Sequence, residues 1–181
     1  MKYLLLLRGI NVGGHHKVLM AEFKAYLSEL AYENINSYIN SGNLYFESDK
    51  DLAQLYQEIS EVIENHYTFA IPFLLIKQED FLVEYDSLPR WWKGDFYRKN
   101  VLFLLPGCHS DQLISFQEIG DGEFLYIGDI ALYWATRDED NYQKSFYHKT
   151  FIKSPLYKCV SIRNERTAEF LARSFGQEKR I

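Results

Sequence analysis

Apolar positions along the chain follow two rhythms, and the switch between them marks out the elements. Residues 3–8 (YLLLLR) form an unbroken apolar run, the pattern of a strand buried on both faces. After a glycine-rich stretch at 9–18, Met20, Phe23, Leu27 and Leu30 recur at helical spacing. Strands are predicted at 35–39 and 44–47, flanking Asn40-Ser41-Gly42-Asn43, whose residue types favour a tight hairpin. Ser48 followed by Asp51 resembles a capping box, opening a second helix through Leu52, Leu55, Tyr56, Ile59, Val62/Ile63 and His66. A fourth strand is predicted at 71–77, which completes a β-α-β-β-α-β order.

The order repeats. A short helix at 79–85 and the cluster Arg90-Trp91-Trp92-Lys93-Gly94 lead to a strand at 100–105 and a helix near 110–118, with Ser110 as N-cap. Strands at 123–127 and 131–136, helical character over 140–150 and an extended stretch at 157–162 follow. A last helix starts at Asn164, presents Ala168, Leu171, Ala172 and Phe175 on one face and stops at Gly176. The expected fold is α+β, a tandem of ferredoxin-like modules with antiparallel sheets: residues 1–78, a connecting segment 79–99, and residues 100–181 with the terminal helix.

Composition excludes several classes. The 181 residues are 47% hydrophobic and 25% charged, a balance that supports a packed core rather than disorder. No apolar run approaches the ~18 residues of a membrane span, and the five apolar residues Tyr3 to Leu7 are too few for a secretory signal. A cytoplasmic protein with no membrane association is expected, with Cys108 and Cys159 reduced. No CxxC or HExxH spacing is present and His15-His16 do not share a helical face, so no metal site is expected. The net charge of −5 conceals an asymmetry: residues 1–140 carry −11 and residues 141–181 carry +6. The acidic body argues against binding duplex nucleic acid. The basic end reads either as a surface for an anionic partner or as a charged face that is solvated or docked on the body.

Two stretches carry a more specific signal. LLLLRGINVGGHHKVLM (4–20) and SYINSGNLYFES (37–48) resemble an uncharacterised bacterial family catalogued as domain of unknown function 1697. The opening pattern is a strand, Arg-Gly-Ile-Asn-Val-Gly-Gly and a Met-led helix; the second is Tyr-Ile-x-Ser-Gly-Asn on the hairpin. Arg163-Asn164 match a late Arg-Asn pair, although Glu165 stands where the family carries an aromatic residue. The resemblance implies two alpha-beta plait modules and no particular activity or cofactor.

Topology groups these loops. In a β-α-β-β-α-β unit the first two strands run parallel, so the loop after the first, the hairpin after the second and the connection after the second helix share one edge. That edge is expected to gather Arg8, Asn11, Gly13, Gly14, His15, His16, Lys17, Asn40, Ser41, Gly42, Asn43 and His66. Glycines there permit close backbone approach, the helix N-terminus favours an anion, and Arg8 offers a bidentate fork for carboxylate or phosphate. Turn formation alone would also account for Asn and Gly, and Arg8 could pair within its own chain. The favoured reading is a small anionic ligand held by Arg8, Asn11, Gly13, Gly14, Lys17, Asn40, Ser41, Gly42 and Asn43, with Arg163 and Asn164 reaching in from the second module. Neither GxxxxGK[ST] nor GxGxxG is met, so a nucleotide has no motif behind it. Ser41 with His66 is a weak nucleophile–base pair, because a strand-to-strand turn is not a nucleophile elbow. Cys108-His109 adjacency makes no dyad. The competing readings are nucleic-acid binding through Tyr3, Tyr45 and Phe46 on the sheet, and a protein-interaction module using Trp91-Trp92, whose favoured ordinary role is packing between the two modules. Sequence leaves catalysis and oligomeric state open.

Overall fold

The structure, a computed structural model, describes residues 1–109 and 119–174. It divides the chain into two units, one built on Met1–Asp80 and one on Phe81–Arg173. Each contains a four-stranded antiparallel sheet, which makes the fold α+β.

The first sheet comprises β1 (Lys2–Leu7), β2 (Glu33–Tyr38), β3 (Asn43–Glu47) and β4 (Phe73–Lys77), in the order β2-β3-β1-β4. Tyr3 through Leu7 are all buried, as the unbroken apolar run requires. Alternate residues Tyr3, Leu5 and Leu7 join Leu44, Phe46 and Leu75 in a core closed by α1 (Met20–Ser28) and α2 (Leu52–His66). Phe23 and Leu27 come from α1, and Leu55, Ile59 and Ile63 from α2, at the spacing that puts them on one helical face. Tyr3 and Phe46 therefore lie inside this core, where Phe46 stacks on Tyr32 at 4.4 Å. That burial removes both from the base-stacking surface considered from sequence.

Three details differ from the sequence reading. β2 ends at Tyr38 rather than 39, because Ile39 adopts a positive φ of 50° and starts the turn. The N-cap of α2 is Asp51, whose carboxylate accepts from Gln54 N at 2.9 Å, whereas Ser48 Oγ accepts from Lys50 N in the preceding turn. β4 starts two residues later than expected, at Phe73, because residues before it form the connection from α2.

In the second unit β5 (Arg98–Leu104), β6 (Glu123–Ile127), β7 (Ala131–Thr136) and β8 (Val160–Asn164) follow the order β6-β7-β5-β8. α3 (Gln78–Asp86) leads in from the first unit. The stretch predicted helical at 140–150 divides into α4 (Glu139–Lys144) and α5 (Phe146–Lys149), interrupted at Ser145, which caps α5 through His148 N. The extended stretch predicted at 157–162 is corrected. Pro155 opens a tight 3-10 turn through Cys159, and only from Val160 does the chain pair with β5. α6 (Glu165–Glu169) starts where expected, with Asn164 as N-cap, and widens to a π turn over Phe170–Ser174. The predicted helix near 110–118 with Ser110, and Phe175 with the stop at Gly176, lie outside the described residues.

The core of this unit packs Leu102, Leu132, Trp134, Tyr147, Phe151 and Val160. The tryptophan pair, expected to pack between the modules, has these ring partners within the second unit: Trp92 is buried edge-on against Tyr133 at 5.4 Å, and Trp91 meets Phe124 at 5.4 Å. Of the basic C-terminal stretch, Arg173 pairs with Asp86 at 2.6 Å. Among the described residues, no helix is long and apolar enough to cross a membrane.

Candidate functional site

The loops after β1, after β2 and after α2 do meet at one edge of the first unit. Leu7 N donates to Gly42 O at 2.8 Å, and Arg8 N donates to Pro72 O at 2.8 Å. The end of β1 is thereby fixed to the hairpin on one side and to the α2–β4 connection on the other. His16 adds a third tie, stacking on Phe69 with ring centroids 4.6 Å apart.

The glycine-rich loop has a defined internal structure. His15 N donates to Val12 O at 3.0 Å across Gly13 and Gly14, whose φ values are +58° and +78°. Positive φ at both central positions suits glycine, because a Cβ there would crowd the backbone. Asn11 N closes the next rung onto His16 O at 3.1 Å. The Asn11 side chain then holds the whole loop: Oδ1 accepts from Val18 N at 2.9 Å, and Nδ2 donates to Val18 O and to Asn40 O, each at 2.9 Å. One carboxamide so links the loop, the start of α1 and the hairpin.

The hairpin is equally specified. Residues 39–42 connect the paired Tyr38 and Asn43. Asn43 is fully buried, and its Nδ2 donates to Tyr38 O at 3.1 Å and Ser41 Oγ at 2.9 Å. Gly42 has φ +76° and sits so close to β1 that an added Cβ would lie 2.7 Å from Leu7 Cβ. Asn11, Gly42 and Asn43 thus build the frame. Gly13, Gly14, His15, His16, Lys17, Asn40 and Ser41 are exposed on it, and Arg8 is half-buried at its base. His66, also at this edge, stacks on Tyr26 with centroids 3.7 Å apart. No acidic residue occurs from 8 to 20 or from 36 to 46, in a chain that is acidic as a whole.

Sequence reasoning missed the neighbouring cleft of about 470 Å³, formed by the end of α2 and the connection to β4. Ile63, Tyr67, Phe69, Ile71 and Phe73 supply its apolar walls, with Ser60, Glu64 and Thr68 as polar groups. It adjoins the loop edge through Phe69 and Pro72, the residues that contact His16 and Arg8. The Tyr67 hydroxyl is buried without a hydrogen-bond partner among the described residues, and burial pushes its pKa up to about 12. The signal in the sequence was the density of apolar and aromatic residues in Tyr67-Thr68-Phe69-Ala70-Ile71-Pro72-Phe73, unusual for a connection.

Arg163 and Asn164 belong to the second unit. Arg163 is buried at 9% exposure; its Nη1 donates to Ser161 Oγ at 3.1 Å and to Ile162 O at 2.9 Å. Burial presses its guanidinium pKa down to about 10. Asn164 Oδ1 accepts from Thr167 N at 2.9 Å. Glu165, at the position where an aromatic would match the sequence pattern, forms an ion pair with Lys99. The Lys99 ammonium also donates to the carbonyls of Trp92 and Gly94 at 3.0 and 2.9 Å. Among the described residues there is no group of three or more His, Cys, Asp or Glu side chains placed to hold a metal ion.

A family model described as "Protein of unknown function (DUF1697)" matches residues 1–133. A solved structure of a conserved bacterial protein from Streptococcus pneumoniae is similar over 94% of this chain and 96% of its own, at 40% identity and a TM-score of 0.88. No curated protein matches the chain.

Proposed function

We infer, for a chain that belongs to the DUF1697 family of proteins of unknown function, that it binds a small anionic molecule at the loop edge of its first unit. The observation that carries this reading is a locked loop that presents His15, His16 and Lys17 beside a half-buried Arg8. Arg8, His15, His16 and Lys17 stand on a backbone fixed by Asn11. Preorganisation matters because a site already ordered loses little entropy when it captures a ligand. Arg8 supplies a planar donor fork for carboxylate or phosphate, Lys17 a mobile point charge, and Asn40 and Ser41 neutral hydrogen-bonding groups. The apolar cleft beside them is within the usual ~300–1,000 Å³ of ligand sites and gives room for the uncharged part of such a molecule.

We read both units as ferredoxin-like modules in tandem, near 1–78 and 100–181 with 79–99 between. The support is the matching strand orders β2-β3-β1-β4 and β6-β7-β5-β8. Arg163 and Asn164 are assigned supporting roles in the second module, since their polar atoms already hold its own backbone. Nucleic-acid stacking is the weaker reading, because Tyr3 and Phe46 are in the core.

A thermal-shift series with inorganic phosphate, pyrophosphate, citrate and AMP at low salt tests the function. A ligand at a hundred times its Kd stabilises the native state by about 2.7 kcal/mol through mass action, a rise of several degrees. At least one of these anions should produce it. Melting that is unchanged across the series contradicts an anion site.

A further inference from the structure

We propose that Cys108 and Cys159 are a reversible oxidation site, closing to an intramolecular disulfide when the protein meets a low-molecular-weight disulfide. The chain has two cysteines, 51 positions apart, and the fold of the second unit brings them together. β5 ends at Leu104 opposite Val160, and the next rung is Leu105 N donating to Cys159 O at 3.0 Å. The chain then reverses through Pro106-Gly107, with Gly107 at φ +82°, until Cys108 N donates back to Leu105 O at 3.0 Å. Both cysteines therefore flank the same residue. Proline followed by a positive-φ glycine is the arrangement of a type II turn, which fixes where Cys108 is carried. Each cysteine's backbone lies one hydrogen bond from Leu105, and the Cys159 thiol is near enough to raise the Cys108 thiol's pKa. Both are half-buried, reachable by a small oxidant yet held by the sheet. Neither contributes to the first unit's loop edge.

The chemistry is two successive exchanges. One protein thiolate attacks the external disulfide, its S–S bond breaks, and one thiolate leaves while a mixed disulfide forms on the protein. The second cysteine loses its proton and attacks the protein sulfur of that mixed disulfide, forming Cys108–Cys159 and expelling the other external thiolate. Two protein thiols are oxidised and one external disulfide is reduced to two thiols. Burial first, and then the neighbouring Cys159 thiol, raise the Cys108 thiol to about 11, so it is protonated near neutrality and exchange is faster in mildly alkaline solution. Closure ties the turn after β5 to the residue before β8.

The test equilibrates the reduced full-length protein with oxidised and reduced glutathione at pH 8, quenches with acid, alkylates in denaturant and measures intact mass and peptide map. The expected product is two hydrogens lighter, takes up no alkylating agent and yields a linked Cys108–Cys159 peptide. The same chain equilibrated in denaturant should need a glutathione ratio about tenfold or more oxidising to reach half closure, because there the sulfurs meet only through a flexible loop. Cys108→Ser and Cys159→Ser should each stop at one mixed disulfide or one free thiol. Two alkylated cysteines, stable mixed disulfides in the wild type, or bonds between molecules would overturn the proposal. Equal closure in native and denatured chains would do so as well, since the folded geometry would then contribute nothing.

Discussion

At the scale of single residues, the first unit depends on side chains whose work is to hold backbone. Gly42 shows the constraint most sharply. Its φ of +76° disfavours any side chain, and a Cβ would also press on Leu7 Cβ at 2.7 Å and Leu7 O at 3.1 Å. Gly42→Ala should therefore cost about 2–4 kcal/mol, from left-handed strain plus overpacking. In urea unfolding the midpoint should fall with the slope unchanged; a midpoint equal to wild type would show that the hairpin is free to relax away from β1. The role of Gly42 as a turn glycine was legible from Asn40-Ser41-Gly42-Asn43. Its contact with Leu7 was not, because that contact arises only once β3 is paired beside β1. Asn11 is similar. The sequence marked it as a ligand-facing donor, whereas the structure uses all its hydrogen-bonding groups to fasten the loop to Val18 and Asn40.

At the scale of elements, helix and strand positions were largely legible, because buried faces impose a period of 3.6 or 2 on the chain. Residues 123–127 and 131–136 coincide with β6 and β7. The extended stretch expected at 157–162 is overturned over 157–159, since a short 3-10 helix leaves no periodic trace and Pro155 was the lone cue. Carboxylate hydrogen bonds that fasten one element to another left no trace at all. Glu84 in α3 accepts from Ile130 N at 2.8 Å, Ala131 N at 3.2 Å and Tyr133 Oη at 2.8 Å, partners 46 to 49 positions away in the chain. Glu58 in α2 is comparable: Lys50 Nζ donates to its two oxygens at 2.7 and 2.9 Å, and Tyr32 Oη donates at 2.7 Å. Burial opposes ionisation of Glu58, but these hydrogen bonds outweigh it and hold its pKa below the ordinary carboxylate value. A lowered native pKa means that the stabilisation is complete above the unfolded value of roughly 4.3 and is lost as pH falls through the native one. Glu58→Gln should destabilise by about 1–2 kcal/mol at pH 7, with the gap to wild type narrowing below about pH 4. Urea titrations at both pH values read this directly; a gap independent of pH would mean that the carboxylate charge contributes nothing.

For the whole molecule, the repeated strand order and the match to a family of unknown function set the fold apart from the activity. The strand order was legible because two successive sets of four strand-like stretches stand in the sequence. The loop edge was legible as a place, since topology alone brings three connections together. The division of labour within it was not: which residues brace and which are presented follows from hydrogen bonds between positions as far apart as Asn11 and Asn40. The cleft beside Phe69 and Pro72 escaped for the same reason. The central claim is that Arg8, at the base of this edge, contacts an anion. Calorimetric titration of wild type and Arg8→Lys with whichever of phosphate, pyrophosphate, citrate or AMP raises the melting temperature most tests it directly. Loss of the charge-assisted fork should weaken binding by about 1–3 kcal/mol, or roughly 5- to 150-fold, while the ligand-free melting temperature stays within a degree or two. Equal affinity in the two proteins, or an Arg8→Lys chain that melts well below wild type without ligand, would contradict it by showing Arg8 to be a structural residue.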